Sequence, residues 1–263
     1  MNIAEKSLQL KQDFNDVYAA GYEKGKSEGG DTTEAYNEGF GAGTDKAYDE
    51  LWEGIQLGGT RTVYNGFFKG EYWNENTVKP KYDLKPTGNA SSMFDRFGGM
   101  ANTTQKGINL AQLLENREVV LDTSRCTNLN NLFYYSSVSR VPTISAVGCT
   151  SQIVGALAQC AHLKTIDKLV LKDDGSNTFN NVFQLDYKLE NIVIEGTIGR
   201  NGFDIQWSTN LSKSSIASII NALSENTSGL TVTLSETAVN NAFSEDEWNT
   251  LVATKQNWTI SLV

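Results

Sequence analysis

The chain has little of several residue types that define common protein classes. It contains one histidine, three prolines and three cysteines among 263 residues. A zinc site needs three or four ligands, which a single histidine and three scattered cysteines do not supply. An odd number of cysteines also does not make a disulfide framework. We therefore expect no metal, no cofactor and no disulfide-built domain.

The chain also lacks a long apolar run and an excess of basic residues. No run approaches the ~18 apolar residues that indicate a membrane span. The opening residues "MNIAEKSLQL" lack the basic start and apolar stretch of a secretory signal, so we expect synthesis in the cytoplasm without export by that route. The net charge of -9 argues against a nucleic-acid partner, which favours a basic face. We expect neither membrane insertion nor nucleic-acid binding.

Residues 1–57 have the pattern of a helical region. Apolar and small residues recur at alternating spacings of four and three, which is typical of a coiled-coil seam. The seam consists of Ile3, Leu10, Phe14 and Val17, with Ser7 and Gly21 at the small positions. We predict that this region oligomerises the chain, most simply as a trimer, and serves for attachment. The alternative is a single amphipathic helix that packs on its own domain.

Residues 58–97 form an aromatic-rich junction. Eight aromatic side chains are concentrated in this part of the chain: Tyr64, Phe67, Phe68, Tyr72, Trp73, Tyr82, Phe94 and Phe97. They could form a binding surface, for sugars among other ligands. They could equally form an N-terminal cap that covers the exposed first unit of a repeat domain. We favour the cap.

Residues 98–211 contain a repeat. Apolar anchors recur at Val138, Leu163, Leu189 and Leu211. Three of these anchors lead into short β-rich segments, and "EVVL" supplies an earlier one. We expect these segments, near residues 119–121, 142–144, 169–171 and 192–194, to form one parallel sheet. A period in the twenties with one strand per unit is typical of leucine-rich repeats. The predicted fold is α/β: a short leucine-rich-repeat solenoid with one parallel sheet, after a helical stalk.

Residues 212–263 depart from the repeat and read as an α/β C-terminal cap. The pattern predicts a helix around Ile216 to Leu223, a strand in "GLTVTL", a second helix and a final strand in "NWTISLV". The second helix should begin at Ser244, since Ser244 and Glu247 have the spacing of a capping box. Such a cap would cover the open edge of the sheet.

The pair Cys160 and His162 has a catalytic or metal-binding appearance. A cysteine nucleophile would need a histidine within reach and a third orienting group, and no such group is evident. Within the repeat, Cys160 falls between two apolar anchors, where a small buried side chain is expected. His162 falls at a position that other units fill with Ser137, Lys188 and Asn210. We therefore interpret Cys160 as a packing residue and His162 as a solvent-facing one.

The repeat resembles the bacterial BspA-like leucine-rich-repeat family. The resemblance rests on "CTNLNNLFYYSSVSRVPTI", "LAQCAHLKTIDKLVL" and "VFQLDYKLENIVIEG", and the flanks are similar to versions encoded by bacteriophages and prophages. It implies a non-catalytic binding protein. A phage virion protein, in a tail or associated with a fibre, would bind other virion proteins through residues 1–57 and a host-surface glycan or protein through its repeats. A bacterial surface adhesin or an interaction scaffold of the same family is the alternative.

Candidate ligand-binding residues are the aromatics that break the apolar rhythm: Tyr134, Tyr135, Tyr187 and Trp207. A glycan-acting enzyme is a further alternative, and it would need two carboxylates across one cleft. Asp173 and Asp174 read as a turn, and the acidic run that ends at Glu247 reads as the first turn of a helix. We therefore predict no catalytic residues.

The predicted stalk should determine the oligomeric state of the chain. The full-length protein should be a homo-oligomer at micromolar concentration, and deletion of residues 1–55 should yield a folded monomer that adheres to cells far more weakly, because linked sites raise avidity. Light scattering measures both masses. A monomeric full-length protein, or a truncated protein that stays oligomeric, would contradict the stalk.

Overall fold

The structure is a computed structural model that describes residues 68–77, 83–99 and 107–263. The chain divides into two units, residues 1–59 and 60–263, and all described residues belong to the second. The predicted helical region, with its seam at Ile3, Leu10, Phe14 and Val17, lies outside the described residues. Its oligomerisation stays a prediction.

The described residues have a mixed α/β fold with parallel sheets and few helices. The strands are β1 (Gly88–Asn89), β2 (Ile108–Asn109), β3 (Cys126–Asn128), β4 (Val138–Val141), β5 (Ile144–Ser145), β6 (Ile153–Val154), β7 (Thr165–Val170), β8 (Phe179–Asn180), β9 (Asn191–Glu195), β10 (Leu230–Leu234) and β11 (Trp258–Leu262). The helices are α1 (Leu110–Glu115), α2 (Lys213–Ala222), α3 (Glu236–Ala242) and α4 (Glu245–Val252), followed by a 3-10 turn at Ala253–Lys255.

The main sheet has five strands and is parallel throughout. Its path runs from β2 through β4 to β7, and β7 also pairs with β5 on the side of β4 and with β9 on the other side. Pro142 lies between β4 and β5 and has no N–H to donate, which fits the interruption of the ladder there. Arg140 pairs with Thr165, and Ile166 pairs with Ile192, so adjacent strands come from segments about 25 residues apart in the chain. We call each stacked segment a rung.

The prediction of one parallel sheet is wrong for the described residues. Three further two-stranded sheets are present, β1–β3, β6–β8 and β10–β11. In the first two, a residue with positive φ follows every strand within three positions. A left-handed residue cannot continue a β-strand, so these strands end after two or three residues.

The left-handed residues form two columns along the stack. The first column contains Ser92, Asn131, Gly155 and Asn181, and the second, four residues later in each rung, contains Arg96, Tyr135, Gln159 and Leu185. The N–H group of each column member donates to the carbonyl just before the next member, as from Tyr135 to Ala158 and from Gln159 to Gln184. The same turn is therefore built in four successive rungs.

The first strand expected in the main sheet belongs elsewhere. Leu121 makes a parallel bridge with Leu84 and does not pair with β5. The stacked geometry also begins before residue 98, the boundary predicted from sequence, since the N–H of Phe94 donates to Leu132. Residues 84–97 are thus a rung in their own right. The other three predicted strands correspond to β4–β5, β7 and β9 and are confirmed.

The described aromatics of the junction are mostly buried. Phe68, Trp73, Phe94 and Phe97 are shielded from solvent and contact one another edge-on or stacked, with ring centroids 4.9 to 6.2 Å apart. Phe94 also stacks on Phe133 of the next rung, at 4.8 Å and 9°. These rings pack the first rungs and present no face to a ligand. Tyr64, Phe67 and Tyr82 lie outside the described residues.

Hydroxyl side chains close both edges of the segment β5–β7–β9. On one edge, the buried Thr123 accepts a hydrogen bond from the N–H of Ser145 at 2.8 Å and donates to its carbonyl at 2.9 Å. On the other edge, Ser215 of α2 accepts from the N–H of Ile192 at 2.9 Å and donates to the carbonyl of Glu190 at 3.2 Å, while Ser218 accepts from Ile194 at 2.8 Å. Side chains thereby make the bonds that a further strand would otherwise make.

The C-terminal cap confirms the predicted order of helix, strand, helix and strand, with α3 as an additional short helix. Ser244 and Glu247 form the predicted capping box at the start of α4. Strands β10 and β11 pair in parallel, and β10 also bridges the preceding rung at Asp204. Residues 212–263 thus continue the stack beyond the rung that carries Asp204.

Removal of the Ser215 hydroxyl should weaken the fold. Ser215→Ala leaves the N–H of Ile192 without a partner in a buried position, so it should lower the free energy of unfolding by about 1–3 kcal/mol. Ser214→Ala is the matched control, because Ser214 is exposed and its hydroxyl contacts that of Ser212. Urea denaturation followed by circular dichroism compares them. Equal stability of the two variants would contradict the edge-closing role.

Candidate functional site

Cys160 is a packing residue whose thiol stays protonated. It is fully buried, and its Sγ donates to the carbonyl of Phe133 at 3.0 Å and lies 3.5 Å from the hydroxyl of Ser136. Burial raises the pKa of the Cys160 thiol, and the neighbouring charge of Asp186 raises it further. Because a cysteine nucleophile acts as the thiolate, this environment is unsuited to nucleophilic chemistry.

His162 was predicted to face solvent, and it is less exposed than that. It is half-buried, and the backbone of Gly107 runs beside it, since a Cβ at Gly107 would lie 2.8 Å from the His162 Cβ. The described residues contain no cluster of three His, Cys, Asp or Glu side chains that could hold a metal ion. Cys160 packs in the core, and His162 lies against the backbone of Gly107.

Asp186 is a carboxylic acid inside the core. It follows the second left-handed column by one residue, in the position that Ser136 and Cys160 fill in earlier rungs. Its Oδ1 accepts a hydrogen bond from the N–H of Cys160 at 2.8 Å. Its Oδ2 is buried and has no hydrogen-bond partner within the described part of the chain. Burial raises the pKa of Asp186 well above its ordinary value.

The four predicted aromatic candidates come together as two pairs. The rings of Tyr134 and Tyr135 lie 6.2 Å apart, and Tyr134 accepts a hydrogen bond at its hydroxyl from the amide of Gln159 at 3.0 Å. Tyr187 and Trp207 meet edge to face, with centroids 5.7 Å apart at 84°. Tyr187 is 50% exposed, and the other three are partly buried. All four reach the surface, so none is a buried filler of the core.

A shallow groove lies on the exposed face of the main sheet. Its volume is about 430 Å³, and we call it the sheet-face groove. It is lined by Arg140, Thr165, Ile166, Asp167, Asn191, Ile192, Val193, Ser214 and Ser215. Side chains along β9 alternate between the core and solvent, which brings Asn191 and Val193 to this face while Ile192 points inward.

An ion pair holds one wall of the groove. The Nε of Arg140 donates to Oδ1 of Asp167 at 2.6 Å, and its Nη2 donates to Oδ2 at 3.1 Å. This forked arrangement fixes both side chains. The hydrogen bonds to Asp167 raise the pKa of Arg140, and Oε1 of Glu115 lies 3.7 Å from the same Nη2 atom. The groove therefore presents an oriented guanidinium directly beside the carboxylate of Asp167.

Two more ion pairs cross from rung to rung beside the groove. Lys164 contacts Glu190 at 2.9 Å, and Lys168 contacts Glu195 at 2.5 Å. As with Arg140 and Asp167, the cation comes from the earlier rung and the carboxylate from the later one. Exposed pairs of this kind contribute little to stability. Their consequence is that this face is rich in charges of both signs.

The carboxylates considered for catalysis are bound in local structure. Asp174 accepts a hydrogen bond from the N–H of Ser176 at 2.9 Å, and the hydrogen bonding to Ser176 lowers the pKa of Asp174. Lys213 and the Ser244 cap lower the pKa of Glu247 to about 2. Each carboxylate thus has a turn or helix-capping role, as predicted.

The sheet-face groove was not predicted, although the sequence carries a signal for it. Arg140, Thr165 and Asn191 each stand two positions after an apolar anchor, and the three are register partners across β4, β7 and β9. A polar residue at the same step in three units indicates a shared outward face. Asp167 falls outside this rule, because its position depends on the pairing with Arg140 across rungs.

Comparisons with protein-family models, with curated proteins and with solved structures found no match. Among the described helices, none has both the length and the apolar character that crossing a membrane requires.

The buried carboxyl of Asp186 predicts a pH-dependent stability. The folded-state pKa of Asp186 is raised, because the fold favours the neutral carboxyl. The free energy of unfolding is therefore not reduced by this group below the unfolded-state pKa of about 3.9, and it falls as pH rises through the folded-state pKa. Asp186→Asn keeps an acceptor for the Cys160 N–H and removes the ionisation. This variant should therefore be more stable than the natural chain at pH 8, and its advantage should shrink at pH 4.

Urea denaturation at the two pH values measures this difference. Asp173→Asn is the control, because Asp173 is an exposed carboxylate in the turn after β7. An Asp186→Asn variant with the same or lower stability than the natural chain at pH 8 would show that the buried carboxylate is accommodated in its charged form.

Proposed function

We propose that the chain is a non-catalytic binding protein of a bacteriophage virion, in the tail or associated with a fibre. In this proposal, the stacked rungs up to residue 211 form a leucine-rich-repeat solenoid that recognises a host surface. The spacing of about 25 residues between paired strands and the recurring left-handed turns support a repeat architecture. The virion assignment rests on the sequence resemblance to phage-encoded BspA-like proteins.

The sheet-face groove is the observation that carries the binding role. Polar groups from three strands and one helix converge on it, and Val193 is 49% exposed beside them. A shallow site with oriented polar groups and an exposed apolar side chain suits reversible recognition of a surface ligand. The side chains that line it belong to regular elements, so they are held in place before any ligand arrives.

The chemistry of the described residues supports binding over catalysis. The buried thiol of Cys160 is held in its protonated form, and Asp167 is engaged with Arg140. Hydrolysis of a glycan would need an acid and a base or nucleophile on opposite sides of the bond. The groove instead offers Asp167 in an ion pair together with hydroxyl and amide groups.

The alternative is an adhesin or interaction scaffold on a bacterial cell. Both roles use the same groove, so location distinguishes them. Mass spectrometry of purified virions would detect the chain as a particle component under the phage proposal. Detection only on the surface of producing cells would favour the adhesin.

A long charged side chain in the groove should prevent binding. Val193→Lys should weaken adhesion of the full-length protein to intact bacterial cells by at least about tenfold, since the lysine fills the groove and adds an unpaired charge. Val120→Lys is the matched control, because Val120 is a similarly exposed valine (56%) away from the groove. Flow cytometry of labelled protein on a panel of bacterial strains measures adhesion.

Two outcomes would overturn the proposal. Equal adhesion of Val193→Lys and Val120→Lys would exclude the groove as the recognition surface. A natural chain that adheres to no strain, although its fold is intact, would argue against host-surface binding altogether.

A further inference from the structure

The two aromatic pairs lie along one side of the stack, outside the sheet-face groove. Tyr135 and Gln159 are successive members of the second left-handed column, joined by the hydrogen bond from Tyr135 to Ala158. Leu185 is the next member, reached by the bond from Gln159 to Gln184, and Tyr187 follows it by two residues. The order along the stack is therefore aromatic pair, amide, aromatic pair.

The spacing of this strip is set by the backbone. Hydrogen-bonded rungs lie about 4.8 Å apart, so Tyr135 and the rung that bears Tyr187 are separated by roughly 10 Å along the stack axis. The rungs repeat this step regularly. Two aromatic sites about two rungs apart, with an amide between them, suit an extended ligand that spans several rungs.

The ring of Tyr187 is held ready for contact. Trp207 packs edge to face against it, and the amide of Asn210 donates to the carbonyl of Tyr187 at 3.2 Å. Half of the tyrosine remains exposed despite this packing. An exposed aromatic ring that is fixed by its neighbours loses little conformational entropy when a ligand covers it.

The polar groups beside the rings also fit one ligand class. Gln159 is oriented between the pairs by its hydrogen bond to Tyr134, and its amide carries both donor and acceptor capacity. A sugar ring has an apolar C–H face, which buries area on an aromatic ring, and hydroxyls, which bond to amides. We propose that the strip of Tyr135, Gln159, Tyr187 and Trp207 binds a linear glycan that runs along the stack. This inference rests on the proposed surface-binding function and adds to it a second contact surface, outside the sheet-face groove, with its own ligand class.

The test uses the full-length protein on a glycan array that carries linear oligosaccharides of two and of six sugar units. The natural chain should bind at least one six-unit oligosaccharide. Tyr187→Ala should weaken that binding by about tenfold or more, which corresponds to the loss of one aromatic contact. Tyr187→Phe should keep most of the affinity, because the ring remains. Tyr72→Ala is the matched control, since Tyr72 is 52% exposed in another part of the chain.

Ligand length tests the direction along the stack. Tyr135→Asn removes the other ring at a left-handed position that asparagine tolerates. It should weaken binding of the six-unit oligosaccharide and leave binding of the two-unit fragment by Tyr187 unchanged. Equal effects on both lengths would overturn the arrangement along the stack. Thermal melting by circular dichroism checks that each variant is folded.

The outcomes separate this inference from the broader proposal. If the array shows no glycan binding, or if Tyr187→Ala binds like the natural chain, the glycan strip is wrong. If cell adhesion nevertheless persists and Val193→Lys abolishes it, the surface-binding function stands with a different ligand, such as a protein. If the natural chain binds neither cells nor glycans in any assay, both the surface-binding function and the glycan strip are wrong.

Discussion

Hydrogen bonds between consecutive rungs are the interaction on which the described structure depends. Each rung offers a row of backbone N–H and carbonyl groups that must find partners, because unpaired buried groups are costly. Neighbouring rungs supply those partners, from the pairing of Arg140 with Thr165 to the bond between Tyr135 and Ala158. The packing of Phe94 on Phe133 follows from the same alignment. A rung alone would satisfy neither its backbone nor its apolar side chains.

Much of this arrangement follows from the sequence because it is periodic. The anchor Val138 begins β4, the anchors Leu163 and Leu189 lie just before β7 and β9, and the capping box at Ser244 begins α4. The left-handed turns were harder to predict. Gly155 and Asn181 are residues that favour positive φ, but Tyr135, Gln159 and Leu185 carry no such signal. Stacking holds the backbone of these residues in a conformation that local preference alone would disfavour. The strands end at these turns, and the chain therefore forms several sheets where one was predicted.

The candidate sites were predictable only in part. Aromatics that break an apolar rhythm reach the surface, which is why Tyr187 and Trp207 were found. The sheet-face groove depends on which outward residues become neighbours, and the contact of Arg140 with Asp167 joins positions 27 residues apart in the chain. Asp186 shows the same limit, since its neighbours Cys160 and Ser208 belong to other rungs. Such contacts require the register, which composition does not determine.

The hydroxyl groups that close the sheet have a consequence for how the chain can vary in length. Thr123 and Ser215 complete the edges of the segment β5–β7–β9 by side chains, and neither belongs to a strand of that segment. The hydrogen bonds made by Thr123 and Ser215 therefore do not depend on how many strands lie between these two edges. An internal unit such as the one that carries β7 could be duplicated or exchanged while each terminus kept its partner. Recombination within the middle of the chain would then alter the exposed face of the sheet without opening these edges to aggregation.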